Sequence, residues 1–172
     1  MTSPKSWGRI RSIVGSALLL KSTIMLSEQS PPPLPDFEDE ATLYSLSSEF
    51  LEAATVLSDT PPTRTGCSLV TYYLAGHAAE LMLKSLLCKD GDRIDFLARR
   101  YGHDLKLLIR RARHKGLPTA VSTEHILAFA GAYTRKRTEY RRNDVLRLPP
   151  LDLLLLEIKR LHSHVFDSVA EI

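Results

Sequence analysis

Hydrophobic residues recur every three or four positions along most of the chain, which is the spacing of one face of an α-helix. No stretch shows the strict two-residue alternation of a half-buried strand over any length. The pattern predicts helices over about 37–58, 65–89, 103–115 and 122–139, and a last helix from about 152. A short helical turn is predicted near 94–98. The fold class is therefore all-α, and we expect an antiparallel bundle of four to five helices.

Residues that begin and end helices lie between these segments. Asp36 and the acidic residues after it suit the N-cap and the first turn of the first helix. Asp90-Gly91 and Gly116-Leu117-Pro118 are typical of helix C-termini, and Ser122 is predicted to cap the fourth helix. Pro149-Pro150 interrupts the chain before the last helix. These local signals agree with the hydrophobic periodicity.

Two of the predicted helices are unusually apolar. The second helix, 65–89, has apolar residues on nearly every face, which is typical of a central helix surrounded by others. The last helix has Leu154, Ile158 and Leu161 on one side with further leucines beside them. That face is wide enough to pack on two neighbouring helices or on another subunit.

A proline-rich stretch divides the chain. The sequence from Ser30 to Pro35 predicts an extended, polyproline-like linker. We therefore expect residues 1–35 to be an N-terminal extension that is disordered or dispensable, and residues 36–172 to form the helical domain. The apolar run 13–20 follows two arginines, as in a signal peptide, but it is far shorter than the roughly 20 residues of a membrane span. We expect no association with a membrane.

The composition is that of an ordinary globular protein, since 44% of the 172 residues are hydrophobic and 25% are charged. These values exclude the collagen-like, disordered and membrane-embedded classes. The two cysteines, Cys67 and Cys88, fall on one predicted helix about 30 Å apart, so they cannot pair with each other. Unpaired cysteines suit a reducing compartment. We therefore expect a cytoplasmic protein.

A stripe of polar residues lies on the predicted central helix. Tyr73, His77, Glu80 and Lys84 follow one another at offsets of four, three and four, so they share one face. Polar groups on an otherwise apolar helix lose roughly 1–3 kcal/mol each if they have no partner. The stripe is therefore predicted to be a hydrogen-bonded network, and Gly76 beside it would let another helix approach closely.

The residues of this stripe could instead form a metal site or a catalytic site. His77 and Glu80 supply only two ligands, and the other histidines complete no metal-ligand motif. We expect no metal and no cofactor. The structural network is the favoured interpretation, and a catalytic role is the alternative.

Two short strings resemble the two central helices of the HEPN domain family. The first is His77-Ala78-Ala79-Glu80-Leu81 with Leu83-Lys84, and the second is Tyr101-Gly102-His103-Asp104-Leu105-Lys106-Leu107-Leu108. They occur in the order and at the spacing of that family, and the resemblance covers about residues 37–169. It adds His103 to the predicted polar network.

The resemblance implies a compact helical bundle that forms a homodimer. Members of this family sit beside minimal nucleotidyltransferases in bacterial toxin–antitoxin or defence loci, and many of them cleave RNA. Such cleavage resembles metal-independent transesterification at the ribose 2′-hydroxyl. The partners implied for this chain are RNA and a nucleotidyltransferase protein.

The nuclease motif of that family is missing. It consists of an arginine and a histidine with four to six residues between them, whereas Arg99–His103, Arg110–His114 and Arg160–His164 each have three. The segment most similar to this motif begins at Arg142-Asn143, but it has Arg147 at the position of the histidine. An arginine stays protonated near neutral pH and cannot act as a general base. The favoured interpretation is therefore a degenerate HEPN module without enzymatic activity, and an endoribonuclease is the alternative.

Positive charge is concentrated in one part of the chain. Between Arg99 and Arg147 there are 13 lysines and arginines against four acids, while the rest has 10 against 16. Cations at helix C-termini explain only a few of these charges. The excess predicts a basic face for RNA phosphates or an acidic partner. The predicted binding residues are Arg110, Arg111, Arg113, Arg135, Arg137, Arg141, Arg142 and Arg147.

The sequence supports three hypotheses about function. The first is a non-catalytic HEPN-like module that dimerises and binds RNA or a nucleotidyltransferase. The second is an active ribonuclease toxin with a non-standard catalytic set, for which His77, Glu80, His103 and Arg142 are the candidates. The third is a structural scaffold whose basic face has no ligand.

Overall fold

The computed structural model describes residues 39–60, 68–139 and 145–170. All of them belong to one unit, Pro35–Ile172, and they contain helices but no strand. The six helices are α1 (Glu40–Ser58), α2 (Leu69–Lys89), α3 (Ile94–Tyr101), α4 (Leu105–His114), α5 (Glu124–Thr134) and α6 (Leu151–Ala170). The all-α prediction is confirmed for these residues. None of the six helices combines the length and the apolar character that crossing a membrane requires.

Helix α2 is the centre of the fold. It contacts each of the other five helices, and 13 of its 21 residues are buried. This explains why its sequence is apolar on nearly every face, because a helix packed on all sides exposes little of its surface to water. The prediction of a central helix is confirmed.

All six helices contribute buried side chains to one hydrophobic core. Met82 and Leu83 of α2, Phe129 of α5 and Ile158 of α6 belong to this core, and each of these four side chains is fully buried. Burial of each such side chain stabilises the fold by roughly 1.5–3 kcal/mol. The inner face of α6 supplies the predicted wide apolar stripe, which packs into this core.

Two helix ends confirm the predicted stops. Gly91 after α2 and Gly116 after α4 adopt φ angles of +88° and +112°, a left-handed conformation that suits glycine. Helix α5 ends in the same kind of turn, but the left-handed residue there is Lys136, with a φ of +54°. The predicted continuation of this helix to residue 139 is therefore wrong, and residues 135–139 form a turn.

Two further expectations are corrected. The predicted short turn at 94–98 is the full helix α3, so six helices replace the expected four or five in the described ranges. Ser122 is not the N-cap of α5: the cap position is Thr123, and its side chain makes no capping hydrogen bond. The reason is tertiary, because a glutamate from α6 accepts the free N–H groups of α5 instead.

Some predictions fall outside the described residues. These are the N-terminal extension 1–35, Cys67, Arg141 and Arg142. Cys88, at the end of α2, is a free and partly buried cysteine. Burial raises the pKa of its thiol to about 11, so the thiol stays protonated at neutral pH and is a poor nucleophile.

Candidate functional site: a buried carboxylate and an arginine pocket

Glu80, in the middle of α2, is the centre of a buried polar cluster. Its side chain is 1% exposed, and three different residues donate hydrogen bonds to it. Lys84 Nζ lies 2.6 Å from Oε1, His103 Nδ1 lies 2.9 Å from Oε2, and the hydroxyl of Tyr133 lies 2.7 Å from Oε2. A buried carboxylate needs such partners, because an unpaired charge in a protein interior is strongly destabilising.

The hydrogen bonds determine the tautomers of two histidines. An ionised carboxylate only accepts, so the single hydroxyl hydrogen of Tyr133 goes to Glu80. His77 Nδ1, 3.1 Å from the Tyr133 oxygen, must then donate to it. His103 Nδ1 must donate to Glu80 for the same reason. When neutral, both histidines therefore carry their hydrogen on Nδ1 and a lone pair on Nε2.

The electrostatics of the cluster follow from burial and from the Lys84 cation. Burial alone would raise the pKa of Glu80, but the hydrogen bonds from Lys84, His103 and Tyr133, with the charge of Lys84, hold it below its usual value. Burial lowers the pKa of His77, and burial together with the Glu80 charge raises the pKa of Tyr133. At neutral pH, Glu80 is ionised, His77 is neutral and Tyr133 keeps its proton.

Gly76 allows the cluster to form. A Cβ atom at this position would lie 2.6 Å from Cδ2 of Tyr133 and 2.7 Å from Cε1 of Phe129, which is closer than real atoms approach. The absence of a side chain thus lets two rings of α5 rest on α2 and bring the Tyr133 hydroxyl to Glu80. The prediction that Gly76 admits a close neighbour is confirmed.

Aromatic rings cover the histidine side of the cluster. The ring of Tyr73 stacks on His77 with centroids 6.0 Å apart, and Phe50 of α1 meets His77 edge-on at 4.5 Å. All five residues of the predicted network, Tyr73, His77, Glu80, Lys84 and His103, thus lie in or against one cluster. One member of the network faces solvent, since the His103 side chain is 57% exposed.

Sequence reasoning missed Tyr133 as a member of the cluster. It lies on the buried face of α5 among apolar residues. A usable signal was present, because a buried tyrosine hydroxyl requires a hydrogen-bond partner and Gly76 indicates where a large ring approaches α2. Of the four catalytic candidates, His77, Glu80 and His103 meet here, and Arg142 lies outside the described residues.

A second buried carboxylate, Glu157 of α6, was also missed. Its oxygens accept hydrogen bonds from the backbone N–H groups of Glu124 and Ile126, both at 2.8 Å, and from the hydroxyl of Ser122. It therefore caps the N-terminus of α5 from another helix, where its negative charge also complements the helix dipole. The available signal was a lone acid on the inner face of an otherwise leucine-rich helix.

The predicted basic residues separate into two groups. Arg111 forms a two-pronged ion pair with Asp92 at 2.8 and 2.9 Å, and Arg113 donates to carbonyl oxygens of the loop between α4 and α5. These two arginines hold the structure together. In contrast, Arg110, Arg135 and Arg147 are exposed and form no ion pair with any residue in the described ranges.

Three arginines line one surface pocket, which we call the arginine pocket. Arg135 and Arg137 follow the end of α5, and Arg147 lies in the segment before α6, which is neither helix nor strand. The pocket has a volume of about 380 Å³, and its other lining residues in the described part of the chain are small or aliphatic. None of the lining residues in the described ranges is an aspartate or a glutamate.

Neither site offers a metal centre. In the described ranges, no three His, Cys, Asp or Glu side chains are grouped so that they could hold a metal ion.

Comparisons of the chain with protein-family models, with curated proteins and with solved structures gave no match. The fold and the sites therefore define an all-α protein with a buried carboxylate cluster and, elsewhere on α5, an arginine-lined pocket.

Proposed function

We propose that this chain is a non-catalytic, HEPN-like module that binds RNA through its basic surface in a bacterial toxin–antitoxin or defence system. The observation that carries the proposal is the arginine pocket, which Arg135, Arg137 and Arg147 line and in which Arg135 and Arg147 form no ion pair with any residue in the described ranges. Guanidinium groups bind phosphate through paired hydrogen bonds and remain charged at every physiological pH. Arg110 on α4 adds a further exposed cation.

The state of Glu80 supports a non-catalytic role. A general base needs a free lone pair that faces the substrate, but the Glu80 carboxylate is buried and already accepts from Lys84, His103 and Tyr133. The arginine–histidine pair of the HEPN nucleases is also missing from the sequence. The cluster around Glu80 is accordingly a structural element that joins α2 to α5.

Salt-dependent RNA binding tests this function. For single-stranded RNA, each neutralised phosphate contributes about −0.7 to the slope of log affinity against log salt. We expect a steep slope for the parent and a slope shallower by about 1.4 for the Arg135→Gln/Arg147→Gln double variant. The matched control is Lys159→Gln/Arg160→Gln, which removes the same charge from the exposed side of α6. If all three proteins show the same shallow slope, the ligand of the basic surface is an acidic protein rather than RNA.

We further propose a homodimer and a nucleotidyltransferase as protein partner, both of which come from the family resemblance. Leu153 and Leu156 of α6 are 41% and 45% exposed and offer an apolar contact for a second subunit. In analytical ultracentrifugation, Leu153→Gln/Leu156→Gln is expected to shift the parent dimer to monomer, whereas Val56→Gln on α1 is not. The nucleotidyltransferase proposal is tested by co-purification with the product of an adjacent gene of that class.

One observation favours a second candidate function, a metal-independent ribonuclease with a non-standard catalytic set. His103 is 57% exposed, and the buried Glu80 holds its Nδ1–H, which leaves the Nε2 lone pair available. A histidine oriented by a carboxylate in this way can act as a general base. Cleavage of a labelled RNA by the parent but not by His103→Gln would establish this function in place of the non-catalytic one.

A further inference from the structure

Phe96 of α3 is an aromatic residue that the fold leaves in contact with water. It is 42% exposed, although Leu97, the next residue in the chain, is completely buried. Single exposed apolar side chains are common on protein surfaces, so exposure by itself indicates no function. The residues around this ring distinguish it from other exposed apolar side chains.

Arginines surround Phe96 on the surface of the helix. Residues three and four positions apart on a helix are neighbours. Arg93 stands three positions before Phe96, and Arg99 and Arg100 stand three and four positions after it. Phe166 of α6 is 52% exposed, but it has no lysine or arginine at any of these offsets. An exposed ring among cations is therefore a property of position 96 and not of every exposed phenylalanine.

Asp95 holds two of these arginines beside the ring. Its carboxylate accepts hydrogen bonds from Nε of Arg93 at 3.1 Å and from Nη2 of Arg99 at 3.0 Å. It also accepts from the backbone N–H of Phe96 at 2.9 Å. The two arginine side chains remain 80% and 77% exposed. Ion pairs in water are weak, so both guanidinium groups stay available to a further anion. One carboxylate thus orients two cations and balances the charge of only one.

Tyr101 supports the Phe96 ring from the other end of α3. The planes of the two rings are nearly perpendicular, at 88°, and their centroids lie 6.0 Å apart. Tyr101 itself is partly buried and packs against the hydrophobic core. Because Phe96 is held by this neighbour, a flat ligand that stacks on the ring restricts its motion little further.

A flat apolar ring surrounded by guanidinium groups fits the chemistry of single-stranded nucleic acid. Unpaired bases stack on aromatic rings and on guanidinium planes, and arginines pair with the phosphates between the bases. A membrane surface requires a helix with a large apolar face, but α3 has eight residues and exposes one large apolar side chain. An acidic peptide would pair with the arginines without a use for the flat ring.

We propose that Phe96 is a stacking platform for an unpaired base of single-stranded RNA, with Arg93, Arg99 and Arg100 as its phosphate contacts. This inference rests on the proposed RNA-binding function and adds a second contact surface, on α3, together with a preference for unpaired bases. In a duplex the faces of the bases are already stacked on one another. The platform therefore distinguishes a single strand from a duplex of the same sequence.

Removal of the ring is the main test. A fluorophore-labelled RNA of about ten nucleotides, a length that spans a typical single-strand binding site, is titrated with the full-length proteins and followed by anisotropy. We expect Phe96→Ala to bind this RNA about tenfold more weakly than the parent, as the loss of one stacked base produces. Phe166→Ala is the matched control, because it removes an exposed phenylalanine without neighbouring arginines, and it should bind as the parent does. Equal affinities of folded Phe96→Ala and the parent would overturn the platform.

Inorganic polyphosphate separates stacking from charge, because it carries phosphates and no bases. Its affinity should be the same for Phe96→Ala and the parent. Arg99→Gln/Arg100→Gln should weaken the binding of polyphosphate and of RNA alike. A loss of equal size for both ligands in Phe96→Ala would overturn the stacking of a base on this ring.

A tryptophan at position 96 gives a readout that does not depend on the stability of Phe96→Ala. The chain has one tryptophan, Trp7, so Phe96→Trp is made in a Trp7→Phe background. Stacking of a base on the indole should quench its fluorescence when RNA binds, and polyphosphate should leave the fluorescence unchanged. RNA binding without quenching would overturn the inference.

The outcomes distinguish this inference from the proposed function. If the single strand and the duplex bind equally with a steep salt dependence, and Phe96→Ala binds as the parent does, the platform is overturned and RNA binding stands. If the parent binds no RNA, both proposals are overturned. Poly-L-glutamate is the probe for an acidic protein. Binding of this polymer in preference to RNA, with a loss in Phe96→Ala, would make α3 a protein contact and overturn the RNA base as its ligand.

Discussion

The hydroxyl of Tyr133 donates a 2.7 Å hydrogen bond to the carboxylate of Glu80, although the two residues are 53 positions apart in the sequence. Tyr133 belongs to α5 and Glu80 to α2. The same hydroxyl oxygen accepts from Nδ1 of His77. Tyr133 is thus the connection between the central helix and α5, and it joins the two histidines to one carboxylate.

The first prediction concerns this connection. Tyr133→Phe removes one donor from Glu80 and the acceptor of His77 while it keeps the ring against Gly76. We expect the free energy of unfolding to fall by about 1–3 kcal/mol, because buried polar groups lose a partner. Urea denaturation measures the change. Tyr73→Phe is the matched control, since the ring of Tyr73 stacks on His77 without a hydrogen bond to Glu80. Equal stability of Tyr133→Phe and the parent would contradict the structural role of the cluster.

The second prediction concerns mild acid. Burial lowers the pKa of His77 and of His162, which lies 2.7 Å from the Tyr44 hydroxyl, below the ordinary value of 6.5. The unfolded chain therefore takes up these protons first as the pH falls, and stability decreases below about pH 6.5. The melting temperature should fall between about pH 7 and pH 5. His162→Gln should flatten this dependence, and the exposed His114→Gln should not. A melting temperature that is constant over this range would refute the prediction.

The third prediction concerns stronger acid. The pKa of Glu80 in the folded protein lies below its ordinary value of 4.5, so the carboxylate contributes stability that is fully present above that pH. This contribution is lost as the pH falls through the lower, folded-state pKa. Thermal unfolding should show a second decrease in stability below about pH 4.5. In Glu80→Gln that part of the decrease should be smaller, and an unchanged pH profile would argue against an ionised Glu80.

The fourth prediction concerns the cap that α6 provides for α5. Glu157→Ala leaves the N–H groups of Glu124 and Ile126 without their acceptor, and we expect a loss of about 2 kcal/mol. Glu157→Gln should lose less, because an amide oxygen still accepts hydrogen bonds. Glu52→Ala, on the exposed side of α1, is the control and should stay within about 0.5 kcal/mol of the parent. Losses of equal size in Glu157→Ala and Glu52→Ala would mean that the cap contributes nothing.

The fifth prediction concerns the strained turn after α5. Lys136→Gly relieves the left-handed conformation, which costs other residues roughly 1–2 kcal/mol, so the variant should be more stable than the parent by about 1 kcal/mol. Lys159→Gly, within α6, removes the same side chain and should be less stable by about 1 kcal/mol. Chemical denaturation of both variants measures the change in the free energy of unfolding, which should rise in the first variant and fall in the second. A destabilised Lys136→Gly would show that the lysine side chain, rather than the backbone conformation, matters at this position.

Local signals in the sequence were sufficient to predict the helices and several of their ends. Periodicity depends on which face of a helix is buried, and Gly91 and Gly116 end their helices because of their own backbone freedom. The central position of α2 was also predictable, since a helix without a polar face must be surrounded. The clustering of polar residues on one face of α2 follows from the 3.6-residue repeat alone.

Only the tertiary structure decided which partners these residues have. Tyr133 and Glu157 read as part of apolar helices, and their roles depend on the approach of a second helix that no local pattern specifies. The basic segment likewise appeared uniform, yet Arg111 is held by Asp92 while Arg135 lies exposed in a pocket. Helix formation is governed by neighbours a few residues away, whereas hydrogen bonds and ion pairs between helices depend on how the helices pack. That difference in range separates what this sequence determined by itself from what the fold decided.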